Sequence, residues 1–339
     1  MEYNHSQKSF DLVAKILSWQ TLMSFAIAIG LLTLVITKVD IDWTNTKDTI
    51  FKSNIPVYLL AFISYYFGFL LRGWRWSIMI KNSDISQNLE PKDYSIFQCS
   101  LYVYLGWFAN TVTWFRLGDF YRAYIFSQDN KDSFPRVIGT ILSERILDIA
   151  TVLFVLVLAF LTFYGSIFSS GMVLFIGLAL VMFIIGLTGL FVMRRYSYYL
   201  ITHIPQKFRK SYQLFHDGVL GSLNRMYLLV CLSIIIWSTE ALRLFLVIQA
   251  LDLSTDPSLA LILFVTLVNA ILTTVPITPG GVGIVEPGIV GLLLLSFSRS
   301  QAVSVAILDR SISYLSIVIL GTLVFIARYY LRQKNSASF

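Results

Sequence analysis

Apolar residues along this chain come in long uninterrupted runs rather than alternating with polar ones. Six runs, at about 19–37, 56–76, 136–163, 172–193, 227–251 and 303–328, each approach or exceed the roughly 20 residues that a helix needs to cross a ~30 Å hydrocarbon core. A transmembrane barrel is excluded, because its strands would alternate apolar and polar residues over about ten positions. The pattern predicts an all-α, polytopic helical membrane protein. It has one integral membrane domain over 1–339, with about 7 full spans plus two broken or re-entrant helical hairpins.

The hairpins are read from interruptions in otherwise apolar sequence. Pro276 to Gly288 reads Pro-Ile-Thr-Pro-Gly-Gly-Val-Gly-Ile-Val-Glu-Pro-Gly between the apolar runs 259–275 and 289–297. Each proline removes a backbone donor and each glycine relaxes the restriction on φ, so the helix breaks at membrane depth. The freed peptide groups must be met by protein, water or a ligand rather than by lipid tails. The stretch 94–126 is apolar and aromatic but is interrupted by Asn110, Thr111, Thr113, Arg116, Gly118, Asp119 and Arg122. It is too long for one clean span and too polar in its middle to face lipid, so a bent pair of half-helices is predicted there. The second such pair covers 258–298.

Composition agrees with the pattern: of 339 residues 56% are hydrophobic and 13% charged, and the mean hydropathy is +0.72. The net charge of +7 could suggest nucleic acid, but its location argues for a membrane surface. Arg194, Arg195, Lys207, Arg209, Lys210 and Arg225 fall in one connector, 194–225, with the single acid Asp217. This connector, broken at Pro205 and carrying Tyr and Phe among its cations, reads as an interfacial cytoplasmic helix by the positive-inside rule. The basic tail, 328–339, is likewise expected in the cytoplasm. So is the polar N-terminus, 1–18, whose following apolar run lacks a clear cleavage site and reads as a retained first span. Arg72 and Arg75 lie among tryptophans at the end of the second span and read as snorkelling anchors. Cys99 and Cys231 form neither a disulfide framework nor a metal motif and read as inert core packing.

With the connector and tail on one side, the two hairpins must enter from opposite faces. Their chemistry matches in outline. Asp119 is followed 26 residues later by Arg145, and Glu286 is followed 24 residues later by Arg310. This is the pattern of inverted-topology repeats with a site at the midplane. Further charges within the apolar spans are Glu144, Asp148, Glu240, Arg243 and Asp309. A charge at the bilayer centre costs roughly 2.5–3.5 kcal/mol, so these must be paired or line a polar cavity. Glu240 and Arg243, three apart on one helix face, are expected to form a structural ion pair.

Several of these motifs together resemble the lysylphosphatidylglycerol synthase transmembrane-region family. They are Asn110-x-x-x-Trp-Phe-Arg-Leu-Gly-Asp119 with Arg122, Glu144-Arg145-x-x-Asp148, Pro276-x-x-Pro-Gly-Gly-x-Gly-x-x-Glu286 with Arg310, and Arg72-x-x-Arg-Trp76. The chain departs from the family at Trp114 and Asp119, where Pro and Glu are common. The resemblance implies a stand-alone, flippase-like protein of the cytoplasmic membrane, with no soluble aminoacyl-transfer domain.

The expected partner is a membrane lipid with a phosphate-bearing headgroup, and no nucleic acid, cofactor or metal is implied. The lipid would be an anionic phospholipid, an aminoacylated lipid or a polyprenyl-phosphate-linked lipid. Its expected contacts are Arg116, Asp119, Arg122, Glu144, Arg145, Asp148, Gly280, Gly281, Gly283, Glu286 and Arg310, with Arg116, Arg145 and Arg310 on the headgroup. The alternatives are a membrane-embedded transferase or phosphatase acting on a lipid-linked substrate, and a lipid-binding scaffold that turns nothing over.

Overall fold

The computed structural model describes residue 16 and residues 18–38, 41–87, 90, 92–162, 170–253, 257–274 and 278–336. The expected cytoplasmic N-terminus thus lies outside the described residues apart from Ile16 and Ser18, as do Pro276 and the last three residues of the tail. All regular secondary structure among the described residues is helical. Among the described residues six helical runs reach spanning length: α1 (Trp19–Lys38), α3 (Ile55–Ser86), α6 (Phe134–Thr162), α7 (Ser170–Arg195), α10 (Met226–Ala250) and a final run of α13 (Arg299–Arg310) with α14 (Ser316–Ser336). About seven are expected from the pattern; the two hairpins absorb the remaining apolar sequence. A short helix, α2 (Trp43–Phe51), precedes α3.

Local chemistry sets the helix ends. The Asn54 side chain accepts from the Val57 N–H ahead of Pro56, so the proline sits in the first turn of α3, where its missing donor costs nothing. Ser298 and Gln301 form a reciprocal capping box at the start of α13. Between α13 and α14, Ser311–Leu315 form one turn of π-helix immediately after Arg310. The connector divides at Pro205 into α8 (Ser197–His203) and α9 (Gln206–Gly221). Gly218 and Gly139 let α9 pack backbone to backbone on α6, because a Cβ on Gly218 would stand 2.2 Å from the Arg136 carbonyl.

Both interrupted segments fold back on themselves. In the first hairpin, α4 (Ile96–Val112) turns over 113–117 into α5 (Gly118–Asn130). Gly118 abuts Gly106 near the tip, and Tyr102 donates to Asp129 near the open end, so the arms are antiparallel. Phe115 and Arg116 hold positive φ at the turn, a conformation costly for side chains of their size. In the second, α11 (Leu259–Thr274) returns through a 3-10 turn (Pro279–Gly281) into α12 (Val285–Leu293), and Gly288 lies on Leu272. Here the left-handed positions fall on Gly280, Gly281 and Gly283, which tolerate them.

The hairpins open toward opposite ends of the bundle. At one end Arg136 pairs with Asp84, Asn82 donates to the Asn224 carbonyl, and Arg328 meets Asp129 at the mouth of the first hairpin. At the other end the Asn54 N–H donates to the Ala250 carbonyl and Ser304 donates to the Thr46 carbonyl, beside the mouth of the second. Between them α3 and α10 form the central pair, tied by the bond from Ser64 to the Thr239 carbonyl.

The fold places strict demands on its tightest glycine. A Cβ on Gly118 would stand 1.9 Å from the Gly106 carbonyl oxygen and 2.7 Å from both the backbone nitrogen and the side-chain Cγ of Asn110, whose Oδ1 is itself held by the Gly118 N–H. Gly118→Ala is expected to cost about 1–3 kcal/mol and to lower the melting temperature of the detergent-purified protein. Gly291→Ala, with open space around its Cβ, should leave it unchanged. Differential scanning fluorimetry of the two variants checks this.

Candidate functional site

The tips of the hairpins meet. Arg116, at the turn of the first, donates to the Thr273 carbonyl at the end of α11 at 2.9 Å, and Thr111 lies against Gly280. Each tip is braced by a side chain that satisfies a freed backbone donor. Asn110 Oδ1 accepts from the Gly118 N–H at 2.8 Å, and Glu286 Oε2 accepts from the Gly283 N–H at 2.6 Å. The acids Asp119 and Glu286 both stand in the first turn of the helix after the break, where the helix dipole favours a negative charge.

Each acid is in turn gripped by an arginine from another helix. Arg145, on α6, engages Asp119 with a two-pronged fork, Nη2 at 3.0 Å and Nε at 3.2 Å. Arg310, at the end of α13, donates through Nε to Glu286 at 2.8 Å and through Nη2 to the Gly280 carbonyl at 2.9 Å, and it lies over the Tyr314 ring. The 26- and 24-residue intervals read from the sequence therefore correspond to two real ion pairs, each joining a hairpin to the following long helix.

Beneath the pairs lie two buried charge networks. In the first, Arg75 donates to Glu144 at 3.1 Å, to Asp148 at 2.7 Å and to Ser233, while Arg122 pairs with the other oxygen of Glu144 at 2.8 Å. Arg122 also stacks over the Trp76 ring at 3.8 Å. In the second, Arg72 pairs with Glu240 at 3.0 Å, Glu240 with Arg243 at 3.3 Å, and Arg243 with Asp309. The expected pair Glu240 and Arg243 is thus part of a longer chain of charges. The reading of Arg72 and Arg75 as snorkelling anchors is corrected: they are 5% and 0% exposed and point inward to carboxylates. No interfacial head could satisfy those acids from outside. Cys99 is buried, as expected, but Cys231 is on the surface, where α10 turns an outer face.

A cavity of about 370 Å³ lies where the hairpin tips, α3, α6, α10 and the π turn converge. Among the described residues its wall carries five arginines (Arg72, Arg116, Arg145, Arg243 and Arg310) against three carboxylates (Asp119, Asp148 and Glu240). Of the residues expected to contact a ligand, Arg116, Asp119, Arg145, Asp148, Gly280 and Arg310 are brought to this wall. Arg122, Glu144, Gly281, Gly283 and Glu286 are not on it; they stand behind and hold the others in place. The remainder of the wall is partly apolar, with Val152, Met182 and Ile271. Arg72 and Arg243 join the wall unforeseen, although their position, in apolar helices and beside an acid or another arginine, was the available signal.

The transmembrane region of lysylphosphatidylglycerol synthase matches residues 22–321. A UPF0104 membrane protein of Methanocaldococcus jannaschii is 30% identical over 234 residues, covering 67% of this chain and 95% of its own. A UPF0104 membrane protein of Pyrococcus horikoshii is 24% identical over 82% of this chain and 90% of its own. A second from M. jannaschii is 26% identical over 80% and 84%. No solved structure matches the chain. With the family match spanning both hairpins, both charge networks and the cavity, the chain belongs to the lysylphosphatidylglycerol synthase transmembrane-region family and is an integral membrane protein.

Proposed function

We propose that this protein moves a lipid with a phosphate-bearing headgroup across the bilayer, the headgroup passing through the cavity between the hairpin tips. The observation that carries the reading is the surplus of arginine over carboxylate on a wall enclosed by two opposed helix breaks. An arginine fork matches phosphate oxygens as well as it matches a carboxylate, so a phosphate can compete with Asp119 for Arg145 and with Glu286 for Arg310. The apolar part of the wall, at Val152, Met182 and Ile271, gives the acyl or prenyl tail a path that stays out of water.

The two halves are proposed to be inverted repeats, with re-entrant hairpins in corresponding positions. Arg75 corresponds to Arg243, Asp119 to Glu286, and the dipeptide Glu144-Arg145 to Asp309-Arg310. The intervals from arginine to hairpin acid are 44 and 43 residues. The contacts correspond as well: Arg75 with Glu144 matches Arg243 with Asp309, and Arg145 with Asp119 matches Arg310 with Glu286. Arg72 and Glu240, each three residues before its helix's inner arginine, pair with one another, as residues on a shared pseudo-twofold axis would. Such repeats supply two packings of nearly equal energy, open to either face in turn. The basic connector and the C-terminal end of α14 share one end of the bundle, and that end is proposed to be cytoplasmic.

Reconstitution into liposomes containing fluorescent phospholipids or polyprenyl phosphates, with a membrane-impermeant quencher outside, tests the reading. Wild type is expected to translocate at least one of them. Arg145→Gln and Arg310→Gln should slow it by about tenfold or more and destabilise the fold less than a change at Arg75, since the carboxylates they leave, Asp119 and Glu286, are 18% and 20% exposed against 1% for Glu144. Arg75→Gln should instead cost about 3–5 kcal/mol of stability by leaving Glu144 and Asp148 short of their central partner. Folded wild-type protein that translocates no headgroup would overturn the proposal.

A further inference from the structure

One irregular turn stands between the two hairpins. Ser311–Leu315 form a π turn directly after Arg310, with the Ser316 N–H donating to the Ser311 carbonyl five residues back. Such a turn is a rare interruption of an α-helix that accommodates one extra residue. In the first half the matching stretch after Arg145 continues as ordinary α-helix within α6. The two halves correspond in their ion pairs and differ at this point.

Three tyrosines of α3 hold the turn. Tyr65 and Tyr66 follow Tyr58 by seven and eight residues, so all three share one helix face. Ser311 Oγ donates to the Leu308 carbonyl at 2.6 Å and accepts from Tyr58 at 2.8 Å. Tyr65 donates to the Ser313 carbonyl at 3.3 Å. Ser316 Oγ donates to the Ile312 carbonyl and accepts from Tyr66 at 2.8 Å. With Arg75 matched to Arg243, the corresponding positions on α10 are Met226, Ser233 and Ile234, none of them a tyrosine. The clamp thus belongs to the half that has the π turn.

The extra residue sets the register between two contacts that α13 and α14 make at once. At one end Asp309 and Arg310 are held by Arg243 and Glu286. At the other, Gly321 lies so close to the first hairpin that a Cβ there would stand 2.4 Å from the Phe108 ring, and Phe325 packs on Phe108 and Tyr121. An α-helix advances about 100° per residue. Were Ser311–Leu315 regular helix, α14 would turn by about 100° relative to Arg310, and Leu320 would stand where Gly321 now does. A leucine does not fit against Phe108 at that distance, so the first hairpin would have to leave α14.

We infer that the π turn is a lock between the two hairpins, held by the hydroxyls of Tyr58, Tyr65 and Tyr66, and that its conversion to α-helix frees the first hairpin from α14. In the locked form one helical run grips both, Arg310 the tip of the second hairpin and Gly321 the arm of the first. Only the consequence for translocation rests on the reading of the cavity as a lipid path.

Hydrogen exchange of the detergent-purified full chain tests the lock, read at the amides of 96–112, the arm that Gly321 touches. Tyr58→Phe combined with Tyr66→Phe removes two hydroxyls that stand off the cavity wall. Leu320→Ala lets the α form fit Phe108 while altering a side chain that is 37% exposed. Each change is expected to speed exchange over 96–112 by about threefold to tenfold, the scale of one uncharged hydrogen bond. Leu320→Ala is the sharper test, since a fixed turn gives it nothing to act on. Deletion of Leu315 removes the extra residue and makes the lock permanent, keeping Arg310 and Gly321 in their present registers on an ordinary helix. In that chain the tyrosine changes should no longer speed exchange, and fluorescent phosphatidylglycerol or polyprenyl phosphate in liposomes should cross at least tenfold more slowly than with wild type. Wild-type exchange over 96–112 in either variant, or wild-type translocation by the deletion chain, would overturn the lock. If the deletion chain does not fold, the two exchange variants decide. Folded wild type that moves neither lipid would overturn the lipid path alone, because the exchange result still stands for the lock.

Discussion

The structure depends on a single electrostatic constraint: a carboxylate buried in a bilayer protein must be surrounded by cations. Glu144 is 1% exposed and sits between Arg75 and Arg122, one arginine from the central helix α3 and one from the first hairpin. Each isolated charge would be expensive at this depth, and removing one member strands the others. The triad therefore fixes three elements, α3, α5 and α6, to a common point. Once they are fixed, Arg145 on the next position of α6 is aimed at the hairpin tip and the cavity. Asp309 and Arg310 repeat the same division of labour in the second half, the acid facing inward to Arg243 and the arginine facing the hairpin.

This division explains why so many charges can be carried without making the whole interior a binding site. The two inner networks are balanced, two arginines to two carboxylates in each, and serve as scaffold, with Arg72, Arg243, Asp148 and Glu240 also reaching the wall. The layer next to the cavity keeps an excess of arginine, and its carboxylates occupy forks that a phosphate could also use. Arg116 is the extreme case. Held at a strained positive-φ turn, it makes its hydrogen bond to a backbone carbonyl of the opposite hairpin, and it has no carboxylate within ion-pair distance among the described residues. Strain retained at such a position is typical of segments that a ligand or a conformational change acts upon.

Much of this was legible in the sequence because it is written in residue types that cannot be ignored at membrane depth. Pro279, Gly280, Gly281 and Gly283 announce the second break through the backbone itself. The first announces itself only through polar residues, and its turn contains no glycine until Gly118, so it was readable from composition rather than conformation. Arg75 was misread because an arginine beside tryptophans near a span end has two physical outcomes, reaching out to headgroups or in to acids. Only the position of Glu144 and Asp148, 69 and 73 residues away, decides between them. The π turn at Ser311–Leu315 was not legible. Serine, isoleucine, tyrosine and leucine are ordinary in apolar helices, and one widened turn among them is a property of packing.

The central claim is that one cavity, between two opposed hairpins, is reached from both sides of the membrane in turn. Ser313 lines that cavity within the π turn and its hydroxyl bonds only the Asp309 carbonyl, so its replacement disturbs no ion pair. The most direct measurement is labelling of Ser313→Cys by a membrane-impermeant maleimide, with Cys99 and Cys231 replaced by alanine, in sealed vesicles of each orientation. The account predicts modification from both faces, slowed by a phosphate lipid that occupies the cavity. Modification from one face alone under every lipid composition would contradict it.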